Sequence, residues 1–301
     1  ITDANGDSLN LSADQLKIMA TDFGTSGNGI ETTVATLSAD VSSLYVSETN
    51  DLIIGDTAAI SVNRIGSNGA VASQAQDAIQ SDLVSSGEVV LNIGGSLIDQ
   101  DADGDSDTDI GATSLSLTAG NAIGTGTNHI EISVDTLSAA TTAGGLYLSE
   151  ANALSIGTVQ GQSGLNSAEN LVLISGGALT INNATSATGN LLLDVTGDLN
   201  ANAAIGSSGG HISLLASGTL NQSATGDIST SGTGTIDVQA AGIVMADGAT
   251  TSSGSGNIRY AASGAIELGA LTTSGNISLI GTAITDANGD SLNLSADQLK
   301  I

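Results

Sequence analysis

Two acidic segments of the sequence carry the residue types that bind hard metal ions. The longer one has six aspartates at alternate positions, namely Asp99, Asp101, Asp103, Asp105, Asp107 and Asp109. The shorter one holds Asp3, Asn5 and Asp7, and it recurs as Asp286, Asn288 and Asp290. Ca²⁺ takes six to eight oxygen ligands, and carboxylates at alternate positions of a turn can converge on one such ion. The sequence therefore predicts Ca²⁺ sites at these segments.

Neither segment is an EF-hand, and a solvated acidic turn is the alternative interpretation of each. Counted from Asp3 or Asp101, glycine lies at the fourth position of the loop instead of the sixth. The twelfth position is Asp14 in one and Ala112 in the other, where an EF-hand has a bidentate Glu. The glycine-rich Ca²⁺ nonapeptide of β-rolls does not occur either. The prediction depends on the density of carboxylates, which repel one another without a cation.

Residues for catalysis are scarce. The chain has no Cys, two His and four Lys and Arg residues, which leaves no thiol nucleophile. His129 and His211 occupy the strand-start position that Asn190, Asn257 and Asn276 occupy in other coils. No motif surrounds either histidine, and no phosphate loop of the form G-x-x-x-x-G-K-[ST] occurs. We therefore predict that the chain is not an enzyme.

The charge of the chain excludes some partners. Its net charge is −27, from 31 Asp and Glu residues against 4 Lys and Arg residues. Without a basic patch it has nothing to meet the phosphates of nucleic acid or of anionic lipids. No apolar run is long enough to cross a bilayer. We expect neither nucleic-acid binding nor membrane insertion of this segment.

A short period in the sequence predicts the elements that position these residues. Apolar–x–apolar strand starts follow one another at intervals of 20, 21, 24, 22 and 19 residues, at Leu171, Leu191, Ile212, Ile236, Ile258 and Ile277. A second short strand often follows about eight residues later, as Leu220 follows Ile212. With 40 Gly, no Pro and 1% aromatic residues, the interior must be thin and aliphatic. This pattern predicts an all-β, parallel β-helix with coils of about 20 residues.

One stretch of the sequence interrupts this period. Residues 64–86 lack the coil pattern, and Ala75, Ile79 and Leu83 have helical spacing. We therefore predict a loop or a short helix that projects from the solenoid near residues 64–86.

Two longer repeats are superimposed on the coils. Residues 284–301 are identical to residues 1–18, ITDANGDSLNLSADQLKI. Residues 30–39 also match residues 130–139, at an offset of 100. Solenoids grow by such duplications. We predict that residues 1–283 are one full tandem period, that residues 284–301 begin the next one, and that the chain is a segment of a longer protein.

The coil sequences resemble those of a known group of proteins. Segments such as IETTVATLSA, GGLYLSEANALSIGTV and GNISLIGTAITDANGD are similar to the tandem repeats of giant bacterial haemagglutinin-like or adhesin-like proteins. The resemblance is to the filamentous-haemagglutinin type of β-helix, which implies a right-handed coil. It covers nearly the whole chain apart from residues 64–86.

This resemblance implies a function. It suggests a structural or adhesive module of a giant extracellular fibre or stalk, at the surface of a bacterium or secreted from it. The expected partners are neighbouring repeats of the same chain, other fibres, and glycans on host or neighbouring cells. The alternative is a β-helix that binds or degrades polysaccharide, which the four aromatic and four basic residues disfavour.

Overall fold

The chain folds into one all-β solenoid. The computed structural model describes residues 1–101 and 107–301. Its parallel strands form about 13 coils, and successive coils are about 22 residues apart. No helix among the described residues is long and apolar enough to span a bilayer.

The strands of the first half are irregular in length. They are β1 (Leu11–Met19), β2 (Asp22–Phe23), β3 (Ile30–Val41), β4 (Ser43–Glu48), β5 (Leu52–Ile54), β6 (Ser61–Ile65), β7 (Val71–Gln76), β8 (Leu83–Ser85), β9 (Glu88–Ile93), β10 (Leu97–Asp99), β11 (Ile110–Ala119) and β12 (Ile130–Thr141).

The strands of the second half are short and regular. They are β13 (Leu146–Glu150), β14 (Leu154–Ile156), β15 (Thr158–Val159), β16 (Gln162–Ser163), β17 (Leu165–Ser167), β18 (Leu171–Ser175), β19 (Leu179–Ile181), β20 (Thr185–Ala187), β21 (Leu191–Val195), β22 (Leu199–Ala201), β23 (Ile205–Ser207), β24 (Ile212–Ala216), β25 (Thr219–Gln222), β26 (Ile228–Thr230), β27 (Ile236–Ala240), β28 (Gly242–Met245), β29 (Thr250–Ser252), β30 (Ile258–Ala262), β31 (Ala265–Leu268), β32 (Ala270–Thr272), β33 (Asn276–Ile280), β34 (Ala283–Asp286), β35 (Leu294–Ser295) and β36 (Gln298–Lys300).

Three parallel ladders run along the second half. The ladder that starts at β13 continues through β18, β21, β24, β27, β30 and β33 to β36. In it, Leu171 pairs with Leu191, and Leu191 pairs with Ile212. The later partners Ile236, Ile258 and Ile277 follow in the same register. The coil period that the sequence predicts is therefore confirmed.

In the first half, single long strands span a whole coil. Strand β3 pairs with β4, β5 and β8 in turn, and β12 pairs in the same way with β13, β14 and β17. A short turn precedes each of these strands, bridged between Thr25 and Asn28 in one case and between Thr125 and Asn128 in the other. The duplication at an offset of 100 is thus also a structural one.

Alternate side chains of each strand fill the interior. Strands β3 and β12 share the same alternation of inward and outward positions, and Leu37 and Leu137 are fully buried. Only two aromatic side chains, Phe23 and Tyr260, lie in this core. Stacked aliphatic side chains therefore fill the solenoid and supply its apolar burial.

The insertion near residues 64–86 is a β-hairpin, so the helical alternative was wrong. Strands β6 and β7 pair antiparallel, the side chains of β6 are exposed, and Gly69 lies in the left-handed region (φ 78°) near the turn. Leu83 already belongs to the solenoid, because β8 pairs with β3. Ile79 is 64% exposed, whereas Leu83 is 0% exposed. The helical spacing linked residues of two different elements.

A polar ladder runs along one corner of the coils. The side-chain Oδ1 of Asn190 accepts a hydrogen bond from the backbone N–H of His211 at 2.9 Å, and Asn257 does the same for Asn276 at 2.9 Å. The ring Nδ1 of His211 in turn accepts from the backbone N–H of Thr235 at 3.1 Å. His211 therefore takes the corner role that asparagines have in the other coils.

Candidate metal centre

Three acidic side chains from consecutive strands converge at one point of the solenoid. Asp99 ends β10, Asp109 directly precedes β11, and Glu131 is the second residue of β12. One carboxylate oxygen from each lies within 4.8 Å of the other two. Among the described residues, this is the only group of three acidic or metal-ligating side chains with such spacing. The arrangement can offer one hard cation three anionic oxygen ligands.

The coil register forces Asp99 towards the interior. Asp99 pairs with Ile54, which is fully buried in the preceding coil. Because side chains on paired positions of parallel strands share a face, the carboxylate occupies an inward position. Asp99 is 6% exposed and Asp109 is 4% exposed. Two carboxylates are thus withdrawn from water next to each other.

Backbone and amide groups hold this arrangement in place. The Oδ2 atom of Asp109 accepts a hydrogen bond from the backbone N–H of Glu131 at 2.7 Å. The side-chain Nδ2 of Asn128 donates to the backbone oxygens of Asp99, at 3.3 Å, and Asp101, at 2.7 Å. These contacts fasten the acidic loop to the turn that precedes β12.

One carboxylate oxygen at the centre has no donor in the described part of the chain. The Oδ1 atom of Asp99 accepts from the backbone N–H of Asp101 at 2.9 Å. Its Oδ2 atom is shut off from solvent and has no hydrogen-bond partner among residues 1–101 and 107–301. A buried charged oxygen in that state is costly unless a proton or a cation compensates for it.

The electrostatic environment favours an added positive charge. Burial, reinforced by the neighbouring Asp99, raises the pKa of Asp109, although the N–H of Glu131 opposes the rise. Burial also raises the pKa of Asp82, to about 6, with added repulsion from Asp107, Asp56, Asp101 and Asp99. The acidic field therefore extends beyond the three convergent side chains.

A related arrangement exists at the start of the chain, with one decisive difference. Asn10 corresponds to Asp109, because its Oδ1 accepts from the backbone N–H of Glu31 at 2.9 Å. Asp3 corresponds to Asp99, because its Oδ1 accepts from the backbone N–H of Asn5 at 2.8 Å. The Nδ2 of Asn10 donates to Asp3 Oδ1 at 2.8 Å. The hydrogen bonds from Asn5 and then Asn10 lower the pKa of Asp3.

In residues 284–301 an asparagine amide likewise donates to the aspartate. Asp286 Oδ1 accepts from the backbone N–H of Asn288 at 2.7 Å and from Asn293 Nδ2 at 2.9 Å. These two bonds lower the pKa of Asp286. An asparagine amide thus stabilises the carboxylate in both copies of the short acidic segment.

The structure distributes the predicted metal ligands unevenly. Asp99 and Asp109 come together, whereas Asp101 and Asp107 are exposed, as are Asn5, Asp7 and Asp290. Asn288 is buried, and Asp3 is half-buried. Asp103 and Asp105 lie outside the described residues. Glu131 was missed by the sequence reasoning, because only the pairing of β11 with β12 brings it next to Asp109.

Comparison with known protein families, with curated proteins and with solved structures gives no match. The interpretation of this site therefore depends on its own geometry and on the internal repeats of the chain.

Proposed function

We propose that the chain is a non-catalytic structural module, one 283-residue period of a longer β-solenoid that serves as an extracellular bacterial fibre or stalk. The observation that carries this proposal is the register of the ladders. After one period, the repeated segment returns to the same face of the solenoid on which its first copy lies.

The ladder can be followed through the whole chain. Leu52 pairs with Leu97, Leu97 with Ile123, and Ile123 with Leu146. From Leu146 the ladder runs through the strands of the second half to Leu299, which pairs with Ile277. Leu299 is the copy of Leu16 in the repeated segment.

The first copy lies on the same face. Leu16 pairs with Leu37, and Leu37 pairs with Ile54, two residues after Leu52. A shift of two residues keeps inward side chains inward, since the side-chain period of a strand is two. A further period can therefore continue the same aliphatic stack without a change of face.

The aromatic residues favour this proposal over polysaccharide binding. Sugar-binding grooves use exposed aromatic rings as stacking platforms. Phe23 and Tyr260 are 1% and 0% exposed, so only Tyr45 and Tyr147 remain for such a role. The extracellular location and an adhesive role towards glycans or other fibres are supported by the sequence resemblance alone.

The test compares this chain with one in which residues 1–283 precede it. Small-angle scattering should show a particle longer by about 60 Å, because about 13 coils at about 4.8 Å each are added along one axis. A variant of the two-period chain carries Leu294→Asp and Leu299→Asp at the junction where the second period begins. It should bend or fray at this junction. A two-period chain with no increase in length would contradict the proposal.

A further inference from the structure

We propose that Asp99, Asp109 and Glu131 bind one Ca²⁺ ion, which links the end of β10 and the start of β11 to β12. This inference goes beyond the proposed role as a structural module and does not depend on it.

The geometry presents the oxygen atoms that a cation needs. The three carboxylates approach within 4.8 Å of one another, and two of them are more than nine-tenths buried. Asp99 Oδ2 is buried without a donor in the described part of the chain. The side-chain oxygen of Asn128 is likewise buried without a donor there, which offers a fourth candidate ligand next to the loop it fastens.

In the two related loops a neutral amide stands in place of the second carboxylate, although Asp3 Oδ2, like Asp99 Oδ2, is buried without a partner among the described residues. At Asp3 and at Asp286 an asparagine amide donates to the carboxylate, at 2.8 Å and 2.9 Å. At Asp99 the equivalent residue is Asp109, which has no N–H to donate when it is ionised. The exchange of a donor for a second carboxylate removes a hydrogen bond and adds a negative charge. A bound cation compensates for both losses.

The ligand set favours Ca²⁺ over other ions. All candidate donors are oxygens, and the chain has no Cys, so soft metals lack their preferred ligand. Mg²⁺ requires a near-ideal octahedron, whereas Ca²⁺ accepts irregular sets of carboxylate and amide oxygens. Three carboxylates around a divalent ion leave one net negative charge at the site.

A proton shared between Asp99 and Asp109 is the competing explanation. It would also relieve the repulsion of the two carboxylates, but it involves no metal. The two explanations differ in a direct way, because only the first predicts saturable Ca²⁺ binding that disappears when Asp109 loses its charge.

The experiment is calorimetric titration of the 301-residue chain with CaCl₂ after EGTA treatment, together with thermal unfolding in either condition. The expected result is a binding site that includes Asp109, and a midpoint several degrees higher with Ca²⁺, since a ligand of the folded state stabilises it. Asp109→Asn should abolish this site and the rise, and should raise the midpoint in EGTA, because it recreates the Asn10 arrangement.

Two further variants make the test specific. Glu131→Gln should weaken binding at least tenfold, and it replaces Asp109→Asn if that variant does not fold. Asp194→Asn removes an exposed charge from another coil and should leave the titration unchanged. The absence of binding to the native chain, or binding that survives Asp109→Asn and Glu131→Gln, would overturn the proposal.

Discussion

The loops at Asp3 and Asp99 have equivalent hydrogen bonds but opposite pKa shifts. The pKa of Asp3 is lowered, whereas the pKa of Asp109 is raised. In both, the aspartate accepts from the backbone N–H two residues on, and the loop ends on a side chain that accepts from the N–H of Glu31 or Glu131. In the first loop that last side chain is the amide of Asn10, which also donates to Asp3. In the second it is the carboxylate of Asp109, and the loop is three residues longer.

The comparison shows that the solenoid fixes the position of a side chain regardless of which residue type stands there. The stacked strands β3 and β12 place Glu31 and Glu131 equivalently, whichever residue faces them. One exchange of a neutral donor for an anionic acceptor then places a second carboxylate beside the first and makes the turn a candidate cation site. Four substitutions or pairs of substitutions test how far this equivalence extends.

The largest effect is expected where the two regions are alike. Leu37→Ala and Leu137→Ala each empty a fully buried position of the aliphatic stack. Each should lower the free energy of unfolding by about 2–5 kcal/mol, measured by urea unfolding. Equal costs would confirm that the two coils share one scaffold, and a large cost for only one of them would break the comparison.

A smaller effect is expected at the buried glutamates next to these strands. Thr32 Oγ1 donates to Glu48 Oε2 at 2.7 Å, and Ile132 takes the place of Thr32 beside Glu150. Thr32→Val should cost about 1.5–3 kcal/mol at pH 7, because the buried carboxylate of Glu48 loses a donor. Ile132→Val should cost about 0.5–1.5 kcal/mol, independently of pH.

The stability cost of Thr32→Val should depend on pH. Glu150 shows the expected behaviour, because Ile132 gives it no hydroxyl donor. Burial raises the pKa of Glu150, although the N–H groups of Asn152 and Val134 oppose the rise. A raised pKa in the folded state contributes stability at low pH that is lost as the pH rises through it. The cost of Thr32→Val should therefore shrink on acidification in urea titrations at several pH values. A cost that grows on acidification would contradict this.

A third effect concerns the first acidic loop. Asn10→Asp gives that loop the charge pattern of the second, so it should lower the melting temperature in EGTA. The loss should be smaller than that of Thr32→Val, because Asp3 is half-exposed and solvent screens the repulsion. Ca²⁺ should restore part of it. The control is Asn63→Asp on the exposed hairpin, and equal losses for both variants would make the effect one of net charge alone.

The smallest effect is expected at the pair of related tyrosines. The Tyr45 hydroxyl donates to Glu88 Oε1 at 2.9 Å. Burial, and to a smaller extent this hydrogen bond, raises the pKa of Tyr45 to about 12. Tyr45→Phe should cost at most about 1 kcal/mol, and it should remove the phenol that ionises near pH 12 from the absorbance titration. Tyr147→Phe serves as the matched control in the same titration.

Much of the fold could be predicted from the sequence because every coil has the same packing requirement. Inward aliphatic residues must align with those of the next coil, so the spacing of Leu171, Leu191 and Ile212 is already the strand register. The hairpin of β6 and β7 could not be predicted in this way. It makes few contacts with the solenoid. Apolar and polar residues need not alternate along β6, because its side chains are exposed on both faces.

The candidate site was predictable only in part. The density of aspartates pointed to Asp99 and Asp109, but alternate spacing along a loop does not reveal which carboxylates turn inward. Burial is decided by the pairing of Asp99 with Ile54, and convergence by the stacking of β11 on β12. Glu131 comes from the next coil, so its contribution is set by tertiary pairing.

The orientation of the ladders also has a mechanical consequence. The hydrogen bonds between coils point along the solenoid, so a stretching force along that direction separates coils one at a time instead of shearing them all together. Each coil of about 22 residues would yield roughly 75 Å of extended chain in place of about 5 Å of solenoid. Under load the molecule would lengthen in steps and dissipate energy at each of them.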